Sequence, residues 1–208
     1  MRVLCLHGYG SNSNVTKSQA APLKQELRRV VGDDARLDFT YLQGRVESTP
    51  YPGVGEFFSP PFYRHWDGDS PSSVLAAAEL IASSVSTNKP DVIFAHSEGG
   101  AAALSTLLHR PLSVQCLVLL SPFPPFDASG RRRLDVSLSG IPLVRIPTLF
   151  VRGESDPWAH FVALTEGLVD ERNLTVYSWK GGHEVPNSSE RGMWAQIAQK
   201  MVEILNKE

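Results

Sequence analysis

Cysteine is nearly absent from this chain: two in 208 residues, Cys5 and Cys116, each inside an apolar β-type run. Two such residues supply neither a disulfide framework nor a metal-ligand spacing, and they read as small buried hydrophobes. A charge excess is missing as well. Twenty Lys and Arg stand against 22 Asp and Glu, a formal net charge of -2, which leaves no electrostatic case for nucleic acid or an anionic membrane. The basic cluster Arg131-Arg132-Arg133 reads as a solvated loop face. No apolar run reaches the roughly 20 residues that a membrane helix needs. The apolar opening, Met1 to Leu6, breaks at His7-Gly8 and is too short for the core of a signal peptide. A reducing cytoplasmic compartment is therefore the expectation. Neither an internal repeat nor a compositional shift marks a second domain. With 42% hydrophobic and 20% charged residues, one α/β domain over 1–208 is expected, large enough to bury a good core.

What is present is alternation. Val3 to Leu6 reads as a buried strand running into the turn-rich His7-Gly8-Tyr9-Gly10-Ser11-Asn12. A helix is expected from about Ser18 to Val31, with Pro22 tolerated in its first turn. Leu37, Phe39 and Tyr41 alternate with polar residues as a second strand, one face more exposed. Over 44–70 no regular period survives. Pro50, Pro52, Pro60 and Pro61 lie there among Tyr51, Phe57, Phe58, Phe62, Tyr63 and Trp66. A loop of that length in a compact domain is functional or disordered, and its aromatic content argues for order. Covering a pocket and plugging the core edge are equally open readings of it.

Ser70-Pro71 supplies an N-cap and a first-turn proline for a helix ending at Asn88-Lys89-Pro90. Strands are expected at Asp91 to Ala95, Cys116 to Leu120, Thr148 to Val151 and Leu174 to Trp179. Helices are expected at Gly99 to His109, Ala159 to Val169 and Ser189 to Asn206, with a second irregular stretch over 123–147. In the last helix Trp194, Ile197, Met201, Ile204 and Leu205 share one face. Apolar strands and helices thus alternate about six times. That pattern specifies an α/β fold whose mostly parallel sheet carries helices on both faces.

Asp91-Val-Ile-Phe-Ala-His-Ser-Glu-Gly-Gly100 has the grammar of a nucleophile elbow, in which a strand turns sharply into a helix and presents Ser97. Ala95 stands where the first glycine of Gly-x-Ser-x-Gly is usual. Alone, the motif is weak, and a serine capping the following helix is the alternative reading. Ligands of open α/β sheets sit beyond the carboxyl ends of the strands, and four such ends carry His7-Gly8-Tyr9-Gly10, Ser97, Asp156 and His183. The order Ser…Asp…His matches the order used on α/β-hydrolase sheets. Ser97 needs a base, and His183, with an unperturbed pKa of ~6.5, can take its proton and return it to a leaving group. Asp156 would hold the imidazole tautomer. The backbone N–H groups of Tyr9 and Glu98 are the candidate oxyanion donors.

Asp67, Asp127 and Asp135 are rival acids in loops, and Asp156-Pro157 is also a common turn. His96 reads as a wall residue, and His7 as a brace for the Tyr9 loop. His65, His109, His160, Glu98 and Glu184 reveal no partner in the sequence.

Val-Leu-Cys-Leu-His-Gly-Tyr-Gly at the start, His-Ser-Glu-Gly-Gly at the elbow, Gly-Glu-Ser-Asp-Pro and Gly-Gly-His-Glu-Val-Pro together resemble the FSH family of serine hydrolases. The resemblance runs from the first strand to the last helix. It implies an α/β-hydrolase fold, a triad at Ser97, Asp156 and His183, and no cofactor or metal. It also implies hydrolysis of an ester or thioester through an acyl-Ser97 intermediate, in a family with members in fungal polyketide pathways. Phe57, Phe58, Phe62, Phe123 and Trp158 would then line an apolar site for an acyl group carried on coenzyme A or a carrier protein. Two other classes stay open: acyl transfer or carbon–carbon bond formation on the same scaffold, and a binding module without turnover.

Overall fold

In the computed structural model the described residues are 1–68, 70–134 and 143–206. Asp135, the rival acid in the second irregular stretch, lies outside them. Six parallel strands form the central sheet: β1 (Arg2–Leu6), β2 (Asp38–Leu42), β5 (Val92–His96), β6 (Cys116–Leu120), β7 (Thr148–Gly153) and β8 (Leu174–Trp179), in the order β2-β1-β5-β6-β7-β8. The helices are α1 (Ser13–Gln19), α2 (Ala21–Val31), α3 (Val54–Phe57), α4 (Pro71–Asn88), α5 (Glu98–His109), α6 (Ala159–Glu166) and α7 (Arg191–Leu205).

Successive residues of a strand face opposite sides, so each central strand feeds two cores. Leu4, Leu6, Ile93, Ala95, Leu117, Leu119 and Phe150 pack on one face with Val74 and Ile81 of α4, Leu104 of α5 and Val162 of α6. Val3, Cys5, Val92, Phe94, Cys116, Val118, Leu149 and Val151 pack on the other with Leu23 and Leu27 of α2 and Trp194, Ile197 and Met201 of α7. Double burial explains why β1, β5 and β6 read as continuous apolar runs. β2 and β8 are the edges, and most of their residues are half-buried. Lys24 lies over the Phe39 ring at 5.2 Å, covering part of the β2 edge with its stem. Both cysteines are buried, and burial pushes their thiols up, that of Cys116 to about 12.

Three expectations change. The helix expected from Ser18 is two helices, because the Asn12 side chain caps an earlier start by accepting from the Asn14 and Val15 N–H groups at 3.1 and 3.0 Å. Ser70 holds the cap position of α4 but makes no side-chain cap bond. The stretch over 44–70 is not wholly irregular: β3 (Val46–Ser48) pairs antiparallel with β4 (Phe62–Arg64), and α3 sits between them. Ser11 and Tyr63 exchange two backbone hydrogen bonds, of 3.2 and 2.7 Å, which tie this excursion to the loop after β1.

Candidate active site

β5 ends at His96, and Ser97 follows with φ 52° and ψ -119°, a left-handed conformation that an L-residue holds only when its surroundings enforce it. The enforcement comes from close packing on the helix side. A Cβ on Gly99 would lie 2.5 Å from the His7 carbonyl, and one on Gly100 would lie 2.6 Å from the Pro122 Cβ. Ala95, buried between Leu6 and Leu119, is accommodated without relaxing the turn. The Ser97 side chain makes no capping bond to α5. Its hydroxyl instead donates to His183 Nε2 at 2.8 Å.

His183 arrives on the loop after β8, and its Nδ1–H donates to Asp156 Oδ2 at 2.9 Å. Asp156 follows β7, and its second oxygen accepts the Trp158 N–H at 2.8 Å, so one carboxylate both closes the turn and meets His183. Ser97, Asp156 and His183 are 7%, 5% and 5% exposed. Rings surround the imidazole: His96 at 5.3 Å, Phe123 at 5.5 Å edge-on and Tyr51 at 6.3 Å. The rival acids stand elsewhere. Asp127 accepts from Ser129, Arg131 and Arg132 in its own exposed turn, which holds its carboxyl below the usual range. Asp67 caps a turn through its backbone carbonyl.

The Tyr9 loop and the start of α5 face one another at the serine. Among the described residues neither the Tyr9 nor the Glu98 backbone N–H has a protein acceptor. His7 does brace the loop. Gly44 N–H donates to its Nε2 at 2.9 Å, so Nδ1 carries the proton and donates to the Gly8 carbonyl at 2.7 Å. His96 is more than wall: its Nε2–H donates to the His183 carbonyl at 2.7 Å and steadies that loop. Burial holds His7 down at about 3, and His65 and His96 at about 4, so all three rings are neutral.

Two cavities open onto Ser97 and His183. The larger, of about 840 Å³, runs between the Tyr9 loop, α1, the start of α2, α3 and the His183 loop, with Phe57 and Phe58 on its wall. The smaller, of about 340 Å³, is walled by Tyr51, Trp66, Phe123 and Trp158 and reaches Glu98. The five expected lining residues therefore split. Phe57 and Phe58 belong to one cavity, Phe123 and Trp158 to the other. Phe62 lines neither, because it is buried within β4 at 4% exposure.

Sequence reasoning missed Val15 and Pro22 on the wall of the larger cavity, for which the Asn12 cap was the available signal. It also missed the partners of Glu98, which accepts from His65 N–H at 2.7 Å and from Arg64 at 3.4 Å. Arg133 is not simply solvated, since its guanidinium lies 4.3 Å from the Phe126 ring centre and donates to the Pro124 carbonyl. Glu184 accepts the Gly182 N–H at 3.2 Å. Among the described residues no cluster of three or more His, Cys, Asp or Glu could hold a metal ion, and no helix is long and apolar enough to cross a membrane.

Residues 1–193 match a family model described as serine hydrolase (FSH1). Esterase alnB of Emericella nidulans is 25% identical, with 94% of this chain and 95% of that protein aligned. Thioesterase FSL2 of Gibberella zeae is 26% identical over 89% of this chain and 86% of its own length. Among solved structures, a carboxylesterase from Mesorhizobium loti superposes with a TM-score of 0.65 at 18% identity, covering 95% of this chain and 88% of that one. The sheet with its flanking helices is the α/β-hydrolase fold.

Proposed function

The chain belongs to the serine hydrolase (FSH1) family, and from that premise we propose that it cleaves an ester or thioester through an acyl intermediate on Ser97. One observation carries the reading: the hydrogen-bonded line from Ser97 Oγ to His183 Nε2, and from Nδ1 to Asp156, with distances of 2.8 and 2.9 Å.

His183 Nε2 takes the serine proton as Oγ adds to the substrate carbonyl. Negative charge develops on the carbonyl oxygen, where the Tyr9 and Glu98 N–H groups offer donors that need no reorganisation. Asp156 keeps the proton on Nδ1, so that Nε2 is the free base, and stabilises the imidazolium once it forms. Collapse breaks the bond to the alcohol or thiol, and Nε2–H protonates the departing atom. Water then enters and gives its proton to Nε2. Its oxygen attacks the acyl carbon, Ser97 regains its proton, and a carboxylic acid leaves.

The finer reading concerns the substrate. A cavity of about 840 Å³ beside the serine suits an extended apolar group, and a relative is a thioesterase by name. Both favour a fatty or polyketide acyl chain delivered on coenzyme A or a carrier protein. To test this, acyl-coenzyme A thioesters of increasing chain length and short aryl esters are offered to the purified protein, with thiol release followed and the quenched enzyme weighed. The expected result is thiol release with an acyl adduct on Ser97. Good cleavage of aryl esters without thiol release from any thioester would remove the thioesterase reading.

A further inference from the structure

Glu98, His65 and His7 are buried, at 9%, 3% and 0% exposure, and no chemical step employs their side chains. Their contacts run in sequence. Glu98 Oε1 accepts the His65 N–H at 2.7 Å. The His65 Nε2–H donates to the His7 carbonyl at 2.9 Å, and the two imidazoles stack with centres 4.6 Å apart. His7 in turn is held at both ring nitrogens, by Gly44 and Gly8. The two ends of this chain of contacts are informative. Glu98 itself carries one proposed oxyanion donor, and Tyr9, directly after Gly8, carries the other. We propose that Glu98 and His65 are positioning residues that set the distance and aim of the two oxyanion donors, acting through His7. This inference rests on the Ser97 reading above.

The Tyr9 donor sits between Gly8 and Gly10, intrinsically soft backbone whose carbonyls are held by the His7 ring at 2.7 Å and the Tyr51 N–H at 2.9 Å. Approach of that loop to α5 is limited by contact, since a Cβ on Gly99 already has no room beside the His7 carbonyl. Drift away from α5 is what the tie from Glu98 through His65 prevents. Arg64 adds a second link, between Glu98 and Tyr9: it reaches Glu98 Oε2 at 3.4 Å and lies 5.1 Å from the Tyr9 ring centre. Catalytic groups must be held to within roughly 0.5 Å to work, and a buried tie of neutral rings and one carboxyl is stiff enough for that.

The test compares wild type with Glu98→Ala, Glu98→Gln and His65→Ala. Read out are kcat and KM on one aryl ester, affinity for a trifluoromethyl ketone analogue of that ester, and fluorophosphonate labelling. Ser97 Oγ adds to the ketone carbonyl while its proton passes to His183 Nε2, which leaves a hemiketal oxyanion in the same position, so the affinity reports the donors and not the overall fold. Losing a well-placed oxyanion donor costs ~100- to 1,000-fold in kcat, and misplacing one should cost about 10- to 100-fold. Glu98→Ala and His65→Ala are expected to lose that factor in kcat and in ketone affinity, with KM within about 3-fold. Glu98→Gln keeps an acceptor for the His65 N–H and should retain most of both. Unchanged kcat and ketone affinity in a folded Glu98→Ala or His65→Ala overturns the proposal. So does a Glu98→Gln as impaired as Glu98→Ala, which would make the charge and not the tie essential. Should Glu98→Ala fail to fold, His65→Ala decides alone. A wild type that takes no fluorophosphonate adduct overturns the Ser97 reading itself, whereas a labelled wild type with indifferent variants overturns this inference alone.

Discussion

At the scale of single residues the acid at position 156 carries the sharpest expectation. Its two carboxylate oxygens divide their work, one on the Trp158 N–H and one on His183 Nδ1–H. Asp156→Asn keeps the shape and the turn but can present an N–H to Nδ1, which moves the ring proton to Nε2 and removes the base. A fall in kcat of ~10⁴ with KM nearly unchanged is expected from steady-state kinetics. A loss under tenfold would mean that another acid orients His183. Ser97, Asp156 and His183 were legible in the sequence because each is forced to a strand end by the apolar run before it. Phe62 was not: an aromatic in a proline-rich stretch reads the same whether it faces a cavity or, as here, lies buried in a short strand.

At the scale of elements, the loop after β1 is held by pieces that arrive from elsewhere, Gly44 before β3 and His65 after β4, while His96 steadies the His183 loop. The Gly44 tie depends on a neutral His7 ring, because Nε2 must accept there. His7 stands at about 3, and His65 and His96 at about 4, against the usual 6.5. Between pH 6.5 and about 4 the unfolded chain takes up protons that the folded one refuses, so stability falls as pH falls through that window. Each ring contributes up to ~1.4 kcal/mol per pH unit there. Glu98, whose burial pushes its carboxyl up, acts in the opposite sense but is one group against three. Urea unfolding at pH 7.5, 6 and 5 should give steadily lower unfolding free energies, and a flat profile would contradict the account. The sequence showed His7 as a brace from its place beside Gly8. The partners flanking β3 and β4 stayed hidden, because short strands of three residues carry too little periodicity to be read.

At the scale of the whole molecule, the parallel sheet was legible because doubly buried strands must be apolar throughout, and both cores demand it of β1, β5 and β6. The edge β2 was found by weaker alternation, and α1 was lost among Ser and Asn residues that serve equally well in loops. The division of the site into two cavities had no sequence signal, since it depends on how α3 and the Phe123 segment settle around Ser97. That shape decides which substrates enter. The proposed reaction depends on one hydroxyl made reactive by one base. Intact-mass measurement after fluorophosphonate treatment of wild type, Ser97→Ala and His183→Ala tests this directly. A single adduct on wild type and almost none on either variant is the predicted result, and robust labelling of Ser97→Ala would contradict it.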